Sequence, residues 1–511
     1  MQIVKILVLL TIFSLTLASN MLKPTAGEYK VVVLGDNGEY KLWKSEYDTV
    51  MKDATLTTEL LKTEKIFSFG TTVVDGAKCT YTPTGKAAID LTTDDSADKY
   101  GMKNFNDIIK TTNFTTLATA ADNIIFLGDI VYPESKRLQV VDGKKVSMFK
   151  SDLWTTRLKC AWNMFVSQLV SLKLHDGTNL NNKVDIITGN HSYDVNFAAE
   201  ESYNDNFMQK EKDSSVYYAM KDGTLTVIPA TQKKNAYSFV RKLTVKVGER
   251  KINFVDFNSA ALVCMHPSGP TFYNKCSGVK YYQQKWTFIK ALEYYTALVR
   301  VIKTLEDHAW NVMRAHHPPA NFEDGDADFY WAKLMDNSSL MDFFKQKKVR
   351  FFFGSHIHTQ AVISVPYKDI PIRELGDKDI ITEMGAFCNL DNLKADGSGL
   401  LPKTQCDKKT AFVIDTLQED VLLIFINGNS GRFFDKISTG TRSIHGNTIW
   451  ARRNKLNDGR DAFGFSNVMF RHNEVQFEFF EIFDTKELVY ESQKVAEFKI
   501  TEYVKGPGEK K

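Results

Sequence analysis

Hydrophobic residues along this chain gather into short runs, and several of the runs stop at a small polar turn. "GEYKVVVLGDNGEY" (27–40) has four apolar residues, Val31 to Leu34, cut off by Gly35-Asp36-Asn37-Gly38. A run of that length bounded by turn residues predicts a buried strand that delivers one carboxylate, Asp36, onto a tight turn. Taken alone, Asn-Gly and Asp-Asn also suit an ordinary hairpin turn. The pattern recurs, however. "ADNIIFLGDIVY" (121–132) puts Asp129 and then Tyr132 after Ile124–Leu127, and "KVDIITGNHSYD" (183–194) puts Asn190 and His191 after Val184–Ile187. "HAWNVMRAHHPP" (308–319) ends in His316-His317 and two prolines, which stop any continuation. "KVRFFFGSHIHTQ" (348–360) ends in His356 and His358.

Between these runs, 281–307 carries Trp286, Ile289, Leu292, Leu298 and Ile302 close to helical spacing, which predicts an amphipathic helix. Strands alternating with helices imply α/β layering, and in such sheets the ligand site lies at the carboxyl ends of the strands. A lone histidine after a strand is usually a hydrogen-bonded structural residue, and Tyr132 alone reads as a core aromatic. Five strand ends of this kind must be bland together for that reading to hold. Four of the ten histidines sit in two of them.

Composition narrows the setting. The opening "MQIVKILVLLTIFSLTLASN" has one charge, Lys5, and an apolar core from Ile6 to Leu17 before Ala18-Ser19. That is the form of a secretory signal peptide over 1–19, too short to span a bilayer comfortably; an uncleaved anchor is the alternative. No later stretch is apolar for long enough to cross a membrane, so a soluble mature chain without a membrane span is expected. The net charge of +3 is near balance and points to neither nucleic acid nor an anionic membrane as partner. Six cysteines in a secreted context suggest disulfides. Of fifteen possible pairings, short loops favour Cys264–Cys276 and Cys388–Cys406, leaving Cys79–Cys160; one or two free cysteines are the alternative. Sequons occur at Asn113, Asn190 and Asn337, of which Asn190 suits glycan least because it follows a buried strand.

The blocks GDNG, GDIVY, GNH, AHHP and SHIH, in that order, resemble the five blocks of the calcineurin-like metallophosphoesterases, and most closely their purple acid phosphatase branch. Gly38 stands where most of the superfamily keeps a histidine, and Tyr132 stands where this branch keeps a tyrosine. "FVDFNSAALVC", "QQKW" and "FGFSNVMFRHNEVQFEFFEI" (463–482) are similar to the small mammalian-type members. Two departures stand out: Ser355 replaces the usual glycine of the last block, and Ile130 the usual asparagine of the second. The resemblance implies one four-layer αββα sandwich over 28–500, with surface insertions near 45–100, 208–236 and 391–460.

It also implies a binuclear metal centre. Asp36, Tyr132 and His358 would hold the first ion and Asn190, His316 and His356 the second, with Asp129 bridging. Carboxylate and phenolate oxygens suit Fe(III), while imidazoles and an amide suit divalent Fe, Zn or Mn. The implied activity is acid hydrolysis of phosphomonoesters, small phosphate esters or phosphoproteins, by a metal-bound hydroxide. His191 would protonate the leaving group, with His317 second; His317 is otherwise a structural neighbour of His316. A phosphodiesterase or nucleotidase on the same scaffold, or a secreted binding protein with a degenerate site, are the competing readings. The compartment expected is extracellular or lysosome-like.

Overall fold

The computed structural model describes residues 27–37, 70–75, 78–83, 89–90, 103–130, 138–141, 144–147, 165, 169, 172, 183–189, 215–228, 239–259, 288–319, 339–366, 411–414, 421–431, 447–451, 463–483 and 491–501. Residues 1–19, Tyr132, Asn190, His191, Asn337 and five of the six cysteines lie outside that set.

The five apolar runs read from the sequence form strands as expected, and other strands join them. Seven of them shape the site: β1 (Tyr29–Leu34), β2 (Asn123–Phe126), β3 (Val184–Ile186), β4 (Arg250–Asp256), β5 (Trp310–Arg314), β6 (Val349–Gly354) and β7 (Val421–Asn427). β1, β2 and β3 run parallel in a seven-stranded sheet. β4, β5, β6 and β7 run parallel in a nine-stranded sheet. Antiparallel strands extend both; Phe463–Phe470 pairs with β1, and Gln360–Pro366 pairs with β7.

Alternation along each strand decides what packs where. Trp310 and Val312 of β5 and Phe351 and Phe353 of β6 face the other sheet, joining Val31, Val33 and Ile125 in one core. Phenylalanines form much of this seam: Phe425 of β7 stacks on Phe477 of the other sheet at 3.5 Å between centroids. Met313 and Phe352 point the other way, toward helix α3 (Phe288–Lys303) and helix α4 (Ser339–Gln346). α3 buries Tyr294, Ala297, Leu298, Val301 and Ile302 on one face, the helical period the sequence carries. It stops at Lys303, short of the expected 307, because Thr304 and Leu305 close back onto Val301 and Ile302 in a tight last turn.

Two further helices, α1 (Lys103–Lys110) and α2 (Thr112–Ala120), cover the outer face of the seven-stranded sheet; numbered in chain order, they precede α3. Phe105 packs edge-on to Phe126, and Phe114 edge-on to Phe465. Thr111 caps α2 by accepting the Phe114 N–H. The exposed Asn113 in its first turn donates Nδ2 to the Ser492 carbonyl at 2.6 Å. The result is an α/β fold layered αββα. Among the described residues no helix is long and apolar enough to cross a membrane.

The expected insertions differ in kind. Residues 70–75, 78–83 and 89–90 make a small sheet of their own, and the hairpin 215–227 adds two strands to an edge of the nine-stranded sheet. The stretch 391–460 needs correction, because part of it is core. β7 lies between β6 and Gln360–Pro366 and is buried at every residue. Seven consecutive apolar or amide residues with two sheet neighbours cannot be a surface addition.

Candidate metal centre

The parallel strands of both sheets end at the same side of the sandwich, and their turns are stitched together. Asp36 N–H donates to Gly128 O and Asn37 N–H to Asp129 O, both at 3.2 Å, joining the ends of β1 and β2. Ser355 N–H donates to His316 O at 2.8 Å, joining the ends of β5 and β6. Asp36, Asp129 and His356 all have left-handed backbones, with φ of 55°, 49° and 65°. Such conformations cost about 1–3 kcal/mol each at strained sites and persist where the surroundings enforce them. Here they bend the chain sharply at the strand end and turn each side chain toward the others.

Those side chains meet. His316 Nε2 lies 3.1 Å from Asp129 Oδ2 and 3.2 Å from His356 Nδ1. His358 Nε2 lies 3.5 Å from Asp36 Oδ1, and the His356 N–H donates to Asp36 Oδ2 at 2.7 Å. Among the described residues two groups emerge with ligand atoms within 4.8 Å of one another, Asp36–Asp129–His316 and His316–His317–His356, sharing His316. Asp36, His316 and His317 are almost fully buried and Asp129 nearly so. Buried carboxylates and imidazoles packed this closely offer a set of donors for a metal ion, and oxygen with nitrogen donors fits divalent and trivalent transition metals.

Six of the nine residues read from the sequence are therefore brought together: Asp36, Asp129, His316, His317, His356 and His358. Tyr132, Asn190 and His191 fall outside the described residues. Gly189, immediately before Asn190, does reach the site. A Cβ there would stand 2.0 Å from Asp129 Oδ1, so only glycine lets β3 end against that carboxylate.

Several supporting residues were not singled out from the sequence. The turn after β7, Asn427-Gly428-Asn429-Ser430, closes on β1: Ser430 N–H donates to Gly35 O at 3.0 Å, and Gly428 N–H to Thr359 O at 2.9 Å. Its signal was the one used elsewhere, an apolar strand running into small polar residues, without an Asp or His to mark it. The end of β4 supplies Ser259, whose Oγ accepts the His317 N–H at 2.9 Å. Tyr294 of α3 steadies that end by accepting the Asn258 N–H at 2.6 Å. Burial raises the Tyr294 phenol above its ordinary range, so it stays protonated.

Beneath the site lies a charged cluster. Arg314 donates twice to Asp256, at 2.6 and 2.8 Å, and once to Asn123 at 2.8 Å. Arg241 sits 2.7 Å from Asp185 and 3.2 Å from Asp256. These residues tie β2 and β3 of one sheet to β4 and β5 of the other, two residues below His316. Burial disfavours the Arg241 charge, but its acidic neighbours prevail and hold it firmly protonated.

No protein-family model matches the chain, and no curated protein sequence matches it. Among solved structures the chain is similar to a purple acid phosphatase isolated from yellow lupin (Lupinus luteus) seeds. Identity is 10% and the TM-score 0.40, over 94% of this chain and 55% of that one. It is similar to GAP50, the anchor in the inner membrane complex of Plasmodium, at 10% identity and a TM-score of 0.37, over 92% of this chain and 88% of that one. It is also similar to PhoD, at 9% identity and a TM-score of 0.42, over 94% and 71%. The chain thus spans little more than half the length of the lupin protein.

Proposed function

We propose that this chain is a metal-dependent phosphoesterase with a binuclear centre and, within that class, an acid phosphatase of the purple acid phosphatase branch acting on phosphomonoesters. One observation carries the reading: Asp36, Asp129, His316, His317 and His356, from four strand ends, converge into two overlapping ligand groups, with His358 3.5 Å from Asp36. The order of the five sequence blocks, four of which contain these residues, supports it.

In this reading Asp36, Tyr132 and His358 would hold the first ion, Asn190, His316 and His356 the second, and Asp129 would serve both. A ferric ion beside a divalent one would supply a hydroxide nucleophile at acid pH and positive charge for the phosphoryl oxygens. The chain's own groups do the rest. The His356 N–H fixes Asp36 through Oδ2, leaving Oδ1 toward His358. His191 donates the proton that the leaving alkoxide needs. Small phosphate esters or phosphoproteins are the substrates, and a signal peptide over 1–19 sends the protein to an extracellular or lysosome-like compartment.

Metal analysis with a visible spectrum, alongside p-nitrophenyl phosphate hydrolysis at acid pH, tests this. The expected outcome is two ions per chain, a purple charge-transfer band and turnover. Tyr132→Phe should bleach the colour while the fold survives. A colourless, fully active protein with two zinc or manganese ions would remove iron and keep the phosphoesterase. Neither metal nor hydrolysis would remove both.

A further inference from the structure

The adjacent histidines His316 and His317 are gripped by two different buried serines, and the two grips differ in kind. Resting on the phosphoesterase reading, we propose that Ser355 and Ser259 hold them in opposite tautomers. His316 then offers an Nε2 lone pair to a metal ion, and His317 offers an Nε2–H to the phosphate oxygens. Ser355, the departure from the family's glycine, becomes a positioning residue rather than a neutral replacement.

The hydrogen bonds carry the assignment. His316 Nδ1 lies 2.8 Å from Leu127 O and 2.9 Å from Ser355 Oγ. A carbonyl oxygen only accepts, so Nδ1 carries the hydrogen. The Ser355 hydroxyl donates to that same carbonyl at 2.7 Å, which leaves its oxygen to accept from His316. A neutral His316 ring therefore has its lone pair on Nε2, the atom facing Asp129 Oδ2 at 3.1 Å. Two acceptors at that distance call for a cation between them. Because Leu127 precedes Gly128-Asp129, one serine ties the ends of β2, β5 and β6 around the ring.

Ser259 acts the other way. Its Oγ already accepts the His317 backbone N–H at 2.9 Å, and it lies 2.9 Å from His317 Nδ1. Ser259 is wholly buried, and among the described residues Nδ1 is the acceptor its hydroxyl faces. A buried hydroxyl left without an acceptor is destabilising, so the O–H is donated to Nδ1. The His317 hydrogen then sits on Nε2. That ring stands 4.4 Å from the His356 ring, inside the ligand group. A nitrogen that carries hydrogen cannot bind a metal, but it can donate to an anionic oxygen.

The test uses the full chain labelled with ring-15N histidine, with and without added Zn(II), and long-range 1H–15N correlation spectra. Spectra of His316→Gln and His317→Gln identify the two rings. Hydrogen on His316 Nδ1 and on His317 Nε2 is expected; hydrogen on His317 Nδ1, or none on His316 Nδ1, would overturn the proposal. Chelator competition and inorganic phosphate binding then separate the roles. Ser355→Ala should weaken zinc retention by about 10- to 100-fold. Ser259→Ala should keep zinc and weaken phosphate by about tenfold, the scale of one hydrogen bond to a charged group. His317→Gln, whose amide N–H replaces Nε2–H, should regain phosphate affinity lost in His317→Ala. Loss of zinc in His317→Gln equal to that in His316→Gln would make His317 a ligand and defeat the assignment. No zinc on the unaltered chain would sink the metal reading instead, while the tautomer spectra still judge the serines.

Discussion

Replacing Gly428 by alanine tests whether the turn after β7 holds the histidine-bearing segment in place. The added Cβ would lie 2.0 Å from Ile357 O, 2.7 Å from Ile357 C and 3.0 Å from Asp36 Oδ2. Non-bonded carbon contacts settle at about 3.5–4.0 Å, so the two segments must part by roughly 1 Å or more. Neither side yields freely. Gly428 donates to Thr359 O, and Ser430 donates to Gly35 O. Ile357 is buried between His356 and His358, so displacing its carbonyl moves both imidazoles relative to Asp36. A misplacement of about 1 Å at a catalytic centre costs about 100-fold in rate. Overpacking adds a stability loss of about 1–3 kcal/mol. The expected Gly428→Ala protein is folded, melts lower, retains less metal on dialysis and turns over p-nitrophenyl phosphate about 100-fold more slowly. Metal-to-protein ratio, kcat and a melting curve on one sample check this. Metal content and kcat equal to those of the unaltered chain would refute the supporting role of the turn.

Arg314→Met should cost about 1.5–3 kcal/mol in urea unfolding, because buried Asp256 loses both Arg314 bonds and keeps Arg241 at 3.2 Å; a loss under about 1 kcal/mol would deny the cluster its structural role. Asp129→Asn should lose metal and phosphatase activity together, measured on one preparation by metal analysis and turnover. His191→Ala should keep its metal while turnover falls by about 10²–10⁴-fold, less for p-nitrophenyl phosphate than for an alkyl phosphate; equal losses would assign His191 to binding. Burial raises the Asp122 carboxyl above its ordinary range, outweighing the Lys30 N–H that it accepts. A raised carboxylate destabilises the fold once ionised, and stability returns as pH falls through the folded pKa. Asp122→Asn should therefore melt higher than the unaltered chain at pH 7 and the same at pH 3, by scanning calorimetry.

The strand ends were legible because their signal is local. An apolar run, one or two small residues and an Asp, Asn or His follow one another within a few residues, and period and turn chemistry need no partner to be read. That reached β1, β2, β3, β5 and β6, the layering, and six side chains that meet at one edge. The face of α3 was legible for the same reason, since helical period lies within its own sequence. Sheet order was not. β7 has the same apolar run and polar turn, yet it lies far along the chain and ends without an Asp or His, so it looked like inserted surface. Its place beside β6 is decided by pairing between distant segments, which no window of sequence contains. Arg314, Asp185 and Asp256 were visible as charges inside apolar strands, but their partners arrive from other strands. The two serines show the limit most plainly. Ser355 was noticed as a departure and Ser259 only as one letter of the block FVDFNSAALVC, because a hydroxyl acquires a role only from the acceptor it meets. Those acceptors, Leu127 O and His317 Nδ1, are brought to it by folding.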